Sequence, residues 1–209
     1  RINRHLNQRS EMLSGISHDL RTPLTRLKLQ LALISQKELS NKMSKDIDEM
    51  EKMLNDYLQY AKTQSQESTK KIEINDLLNE IKNEINNQNF NLQLNENVVI
   101  FGRRQALKRC LENIINNGLI YGNKVNLVVN NLPNRIVILV DDDGPGIPQD
   151  QYKNVFKPFF RLDKSRSLNQ SGIGLGLAIV EDIVNSHGGL VQLSKSKLGG
   201  LQVKISLPS

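Results

Sequence analysis

A histidine and a carboxylate stand side by side in Ser17-His18-Asp19-Leu20-Arg21-Thr22-Pro23-Leu24. An imidazole with a pKa of about 6.5 is available as a neutral nucleophile at cell pH. An adjacent carboxylate can orient the ring or accept its proton. Arg21 and Thr22, three and four residues on, share the face of His18 on a helix. Pro23 removes a backbone donor and frees a carbonyl one turn earlier, near Asp19, which favours a bend beside the nucleophile. Alone, such a pair reads as a surface histidine, and that is the reading given to His5 and His187. His18 becomes a candidate phosphoryl acceptor because the parts of a nucleotide pocket follow about a hundred residues later.

Those parts are three clusters. In Asn113-Ile114-Ile115-Asn116-Asn117, the first and last asparagines are four apart and share one helical face. An amide oxygen there can complete the shell of a Mg²⁺ ion that also holds phosphates. Asparagine is abundant in this chain, so a plain polar face competes with that reading. Asp141-Asp142-Asp143-Gly144-Pro145-Gly146-Ile147 follows an apolar strand. A carboxylate at a strand end can accept an adenine amino group, and glycines let the backbone approach a flat ring; a tight acidic turn is the bland alternative. Gly172-Ile173-Gly174-Leu175-Gly176-Leu177 leads into a helix whose N-terminal amides suit phosphate oxygens. It is not a dinucleotide fingerprint, since no βαβ unit with a correctly spaced acid follows.

The elements that must carry these residues are legible from periodicity. Leu13, Ile16, Leu20, Leu24, Leu27, Leu31 and Ile34 step by three and four, drawing one stripe along a helix from about residue 5 to residue 35. Met43, Ile47, Met50, Leu54, Tyr57 and Ala61 repeat the pattern after the polar break Gln36–Asn41. Two such helices form a hairpin that cannot cover both seams alone, so a homodimer is expected. Residues 63–71 read as a polar linker. Beyond it come a strand start at Lys71–Ile74, a helix from Asp76 to Asn86, and a buried strand at Val98–Phe101. A helix from Arg104 to Ile120 follows. Strands at Val125–Val129 and Ile136–Val140 are joined by the Asn131–Asn134 turn. A late helix at Leu175–Ser186 and a closing hairpin, Leu190–Leu193 with Val203–Leu207, complete the reading.

Composition narrows the class. The 209 residues are 38% hydrophobic and 24% charged, with a net charge of +6, which suits one or two globular domains with real cores. The basic residues are scattered among acids without interleaved aromatics, which argues against a nucleic-acid partner. One cysteine, Cys110, excludes an internal disulfide. No apolar run is long enough to span a bilayer. The start at Arg1 rather than methionine is read as a fragment of a longer protein.

Taken in order, His18-Asp19-x-Arg21-Thr22-Pro23-Leu24, the asparagine helix, Asp142-x-Gly144-x-Gly146, Phe156-x-Pro158-Phe159 and Gly172-x-Gly174-x-Gly176 resemble the bacterial sensor histidine kinases over nearly the whole chain. Ser17 to Thr25 and the Asp-Asp-Gly-Pro-Gly-Ile run are similar to the osmosensor-type members. The resemblance implies an α+β fold in two parts. Residues 1–66 would be a helical-hairpin dimerisation and histidine phosphotransfer domain, a four-helix bundle in the dimer. A linker at 67–71 would precede an α/β-sandwich ATP-binding domain of the histidine kinase/Hsp90-like type at 72–209.

Roles follow position by position. His18 would accept the phosphoryl group, Asp19 would take or orient its proton, and Thr22 would help place a water for dephosphorylating the partner. Asn117 would bind Mg²⁺, with Asn113 on the same face and Tyr121 beside the nucleotide. Asp142 would read adenine, with Gly144 and Gly146 lining the base pocket. Gly172, Gly174 and Gly176 would frame the triphosphate. Phe156, Pro158 and Phe159 would hinge a lid between residues 157 and 174, and Arg161 would reach the γ-phosphate. The family's common basic residue before the tyrosine is here Ile120, and its usual alanine after the Mg²⁺ asparagine is Gly118. Lys157, Arg161 or Lys164 are candidates to replace the missing charge.

The implied ligands are ATP and Mg²⁺, and the implied partners are a second copy and the receiver domain of a response regulator. The implied location is the cytoplasmic portion of an inner-membrane sensor, with membrane contact made only by an upstream segment. Competing readings are an ATPase of the same superfamily without phosphotransfer, a phosphatase-dominant protein, and a non-catalytic docking module.

Overall fold

The computed structural model describes residues 22–31, 37–62, 67–94, 97–162 and 174–209. The chain divides into two compact units, Arg1–Glu67 and Ser68–Ser209.

In the first unit, residues 22–31 are helical (α1) and Lys37–Lys62 form α2. Three contacts set them antiparallel. Ser40 Oγ donates to the Leu31 carbonyl at 2.7 Å, and Lys28 Nζ reaches Asp48 Oδ1 and Glu51 Oε2 at 2.7 Å each. Leu31 and Ile47 are buried between the helices, but Leu27, Met43 and Met50 from the same apolar stripes stay 46%, 42% and 52% exposed. One hairpin therefore leaves part of its seam uncovered. The expected stripe residues Leu13, Ile16, Leu20 and Ile34, and the side chains of Leu54, Tyr57 and Ala61, lie outside the described residues.

The second unit runs β1 (Lys70–Glu73), α3 (Ile74–Ile85), β2 (Phe90–Leu94), β3 (Val99–Gly102), α4 (Arg104–Tyr121), β4 (Val125–Leu132) and β5 (Arg135–Asp142). A 3-10 turn at Gln149–Gln151 follows, then α5 (Gly176–Ser186), β6 (Leu190–Lys195) and β7 (Leu201–Pro208). Five strands form one sheet in the order β2-β4-β5-β7-β6; β2 and β4 are parallel and every other pair is antiparallel. One face of the sheet carries most of the core, although Val137 is buried on the other. Val125, Leu127 and Val129, Ile136, Ile138 and Val140, and Val203, Ile205 and Leu207 are all buried. They meet the apolar sides of the helices, including Leu111 and Ile115 of α4 and Val180 and Val184 of α5. Glu80 of α3 bonds Arg104 and Lys108 of α4, and Glu84 bonds Lys108, bracing the helical layer.

Several expectations shift. Lys70, read as linker, pairs with Gly102, and Lys71, read both as the linker's end and as a strand start, pairs with Phe101, while Ile74 already begins α3. The strand read as buried at Val98–Phe101 has only one inward side: Ile100 is buried, but Phe101 is 72% exposed. It pairs with β1 alone in a two-stranded ribbon. Strand β2 was not anticipated. Asn86 ends α3 in the left-handed region (φ 42°), where asparagine is tolerated, and turns the chain into it.

His187 is no incidental surface group. It caps α5: Nδ1–H donates to the Ile183 carbonyl at 2.7 Å while Nε2 accepts the Arg103 N–H at 3.0 Å.

Candidate functional site

Three chain segments converge at one end of the sandwich: the C-terminal half of α4, the end of β5, and the start of α5. The α4 residues Asn113 and Asn117 face Gly176. A Cβ added to Gly176 would lie 3.3 Å from Asn117 Nδ2 and 3.4 Å from Asn113 Oδ1. Glycine thus lets the first turn of α5 approach the two amides closely. Asn113 Nδ2 donates to the Arg109 carbonyl at 2.9 Å, which directs its Oδ1 toward that helix start. Leu175, the N-cap of α5, makes no side-chain cap bond, and no acid occupies the first turn. The positive end of an eleven-residue helix is left without a built-in anion. Amide oxygens beside uncapped backbone donors suit a metal-bound polyphosphate.

Asp142 ends β5 half-buried. Its Oδ1 accepts two backbone N–H groups, from Gly144 at 2.9 Å and Leu201 at 3.0 Å, whereas Oδ2 makes no such bond among the described residues. Burial raises its pKa above the ordinary aspartate value; the two N–H bonds oppose this, and the Asp143 and Asp141 charges add to it. Gly144 packs on the end of α4, where a Cβ would meet the Tyr121 carbonyl at 3.1 Å. Gly146 adopts φ 70°, which glycine reaches with no Cβ penalty. Tyr121 itself is 39% exposed at the rim, next to Ile120 at 51%.

Beyond this pocket, Phe156 is half-buried and Phe159 exposed. Phe159 N–H donates to the Gly174 carbonyl at 2.9 Å, so the two ends of the expected lid are joined. Arg161 packs against Gly174, its Cγ 3.3 Å from where a Cβ would stand. Lys157 Nζ bonds Asn154 Oδ1 at 2.8 Å within its own turn. Gly172 and Lys164 lie outside the described residues, as do His18 and Asp19; Thr22 is exposed on α1.

Sequence reasoning missed the parts played by four residues. Gly200 and Leu201, from the β6–β7 turn, close over Asp142. The Gly199-Gly200 pair was the available signal, but it reads as an ordinary hairpin turn. Asp143 Oδ1 accepts the N–H groups of Asn123 and Lys124 at 2.7 and 2.8 Å, tying the segment after α4 to the Asp142–Gly146 loop. These bonds hold its carboxyl below the usual range. Gly118, the departure noted above, packs where a Cβ would meet Val125 Cγ2 at 2.6 Å and Asp142 Cβ at 3.3 Å.

The comparisons with known proteins agree with this arrangement. Residues 102–209 match the family described as histidine kinase-, DNA gyrase B-, and HSP90-like ATPase, and residues 8–66 match the His Kinase A (phospho-acceptor) domain. The sensor histidine kinase GtrS of Pseudomonas aeruginosa is 39% identical over 210 residues, covering 100% of this chain and 44% of GtrS. The sensor histidine kinase CpxA of Escherichia coli is 34% identical over 223 residues, covering 99% of this chain and 48% of CpxA. The chain thus spans less than half the length of these curated relatives. The solved histidine kinase domain of the E. coli osmosensor EnvZ is 33% identical, covers 70% of this chain and 92% of its own, and superposes with a TM-score of 0.54. With a phospho-acceptor domain followed by an ATPase domain of this kind, the chain belongs to the bacterial sensor histidine kinases.

Proposed function

We propose that this chain autophosphorylates on His18 with ATP and passes the phosphoryl group to an aspartate of a response-regulator receiver domain. The observation that carries the reading is the meeting of Asn113 and Asn117 with the uncapped start of α5 at Gly176. That is a phosphate-holding arrangement in a chain whose first domain matches the phospho-acceptor family.

Asn117 Oδ1, with Asn113 Oδ1 beside it, is suited to Mg²⁺. Both donors are neutral hard oxygens, and among the described residues no group of three acids, histidines or cysteines could hold a metal by itself. The ion would therefore arrive with the triphosphate, and when bound it neutralises charge on the transferring group. Asp142 Oδ2 accepts the adenine amino group, Gly144 and Gly146 admit the ring, and Tyr121 lies at its edge. Gly172, Gly174 and Gly176 let backbone amides face the phosphates, and Phe156 and Arg161 belong to the lid that covers them. The His18 nitrogen forms the P–N bond as the bond from the γ-phosphorus to the ADP oxygen breaks. Asp19 holds the ring proton through the transfer. Thr22 orients the water that hydrolyses the phosphorylated regulator.

The partly exposed seam of Leu27, Met43 and Met50 supports a homodimer in which two hairpins make a four-helix bundle. We assign the chain to the cytoplasmic side, where ATP is available, as one portion of a longer inner-membrane sensor. None of the described helices is long and apolar enough to cross a membrane.

Incubation with radiolabelled ATP tests the proposal. Acid-labile, base-stable label that disappears in His18→Gln and Asn117→Asp is expected, with Thr22→Ala still labelled but defective in dephosphorylating the regulator. Phosphate release without labelled protein would replace the kinase with a plain ATPase, and absence of nucleotide binding would leave only a docking module.

A further inference from the structure

Gly200 lacks a side chain at a point where none fits. A Cβ there would lie 2.1 Å from Asp142 Oδ1, 2.5 Å from Gly144 N and 2.7 Å from the Asp142 carbonyl oxygen. The backbone on both sides of it is already engaged with Asp142. Gly200 N–H donates to the Asp142 carbonyl at 3.2 Å, and the next amide, Leu201 N–H, donates to Oδ1 at 3.0 Å. Gly144 N–H supplies the second bond to that oxygen at 2.9 Å. Oδ1 is thus gripped by two donors from segments 57 residues apart in the chain (201 minus 144), which fixes the carboxylate's rotation.

The turn that delivers Gly200 is internally braced. Ser196 is buried, its Oγ accepts the Leu198 N–H at 3.0 Å, and its own N–H donates to the Gly200 carbonyl at 2.9 Å. Gly199 completes the reversal at φ 110°.

We propose that the β6–β7 turn, acting through Gly200 and the Leu201 amide, sets the base selectivity of the site by aiming Asp142. With Oδ1 committed to the protein, only Oδ2 is offered to a ligand, as an acceptor facing an exocyclic amino group such as that of a 6-aminopurine. Gly200 and Leu201 are positioning residues. They act on the base through Asp142, and a loosened turn lets the carboxylate rotate and swing away from the amino group. The inference rests on the reading that ATP binds at this site.

The test compares equilibrium binding of ATP and of purine riboside triphosphate, which has hydrogen in place of the 6-amino group, to the full chain. The wild type is expected to prefer ATP by about tenfold or more, as for a hydrogen bond to a charged acceptor. Gly200→Ala displaces the turn, and Leu201→Pro removes the donated N–H while leaving glycine at 200. Both are expected to lose the preference, with ATP weakened to the level of the analogue and the analogue itself little changed. Leu201→Val, which keeps the N–H, is expected to retain the preference. A merely structural role predicts equal weakening of both nucleotides, and that result would overturn the proposal while leaving the ATP reading intact. Unfolding of both Gly200→Ala and Leu201→Pro, read from melting curves, would overturn it as well. A wild type that binds neither nucleotide would remove the ATP reading instead.

Discussion

Phe159 donates its backbone N–H to the Gly174 carbonyl at 2.9 Å, and both residues sit at positive φ, 64° and 81°. The bond joins the two ends of the segment that carries Arg161 and leads into the start of α5, the proposed phosphate site. Gly174 has no substitute here: a Cβ would stand 2.6 Å from the Phe160 carbonyl oxygen. Gly174→Ala combines that clash with about 1–2 kcal/mol of left-handed strain, so ATP affinity is expected to fall about tenfold. Calorimetric titration checks it. Unchanged affinity would detach this backbone clasp from nucleotide binding.

The role proposed for Asp142 ties ATP affinity to pH. Burial raises its pKa in the folded chain, and the two N–H groups on Oδ1 leave Oδ2 as the place for a proton. Protonation turns the free acceptor into a donor, so ATP affinity is expected to weaken on acidification from above the usual aspartate range. Stability moves the other way. A folded-state pKa above the unfolded one means that the native chain binds the proton more readily. Its contribution to stability therefore grows as pH falls through that window and is lost as pH rises. Asp142→Asn removes the buried charge but keeps an oxygen for the two amides. The expected outcome is a melting temperature held or raised, together with a loss of ATP affinity of about tenfold. A lowered melting temperature with intact affinity would contradict the role given to Oδ2.

What could be read from the sequence was whatever depends on near neighbours. Ile136 to Val140 form an unbroken apolar run that ends at Asp141, so β5 and the position of Asp142 at its end are legible without the fold. Asn113 and Asn117 share a face by helical geometry alone. The hidden parts depend on chain segments that meet only after folding. Leu201 lies 59 residues from the carboxylate it steadies, and Arg103 lies 84 from the His187 ring that accepts its N–H. Phe90, Leu92 and Leu94 alternate, but β2 is only five residues long, among the asparagines of residues 86–91 and 95–97. Four consecutive apolar residues at Val98–Phe101 suggested burial on both faces. A two-stranded ribbon covers only one of them.

The His187 cap predicts a stability effect separable from activity. Its two ring nitrogens join the end of α5 to the N-cap of α4, and the Arg103 guanidinium adds a bond to Ser186 Oγ. His187→Ala removes both ring bonds and takes the acceptor from a partly buried N–H, an expected loss of about 1–3 kcal/mol. Urea unfolding measures it. ATP affinity should be unchanged, since the proposed nucleotide site lies at the opposite end of α5. No change in unfolding midpoint would deny His187 its structural role.

Gly118 gives the sharpest test of packing beneath the base pocket. The family's usual residue after the Mg²⁺ asparagine is alanine, a better helix former than glycine, so propensity alone predicts that Gly118→Ala stabilises α4 by about 1 kcal/mol. The structure predicts the opposite. The added methyl would stand 2.6 Å from Val125 Cγ2 and 3.3 Å from Asp142 Cβ, pushing on a fully buried valine and on the residue proposed to read the base. Overpacking of this kind costs about 1–3 kcal/mol, enough to outweigh the gain in helix propensity. The single variant is therefore expected to melt lower and to bind ATP more weakly. Trimming the obstacle in Gly118→Ala/Val125→Ala should recover part of both losses, although Val125→Ala alone destabilises the core. A double variant whose losses simply add would show that Val125 and position 118 do not compete for the same space.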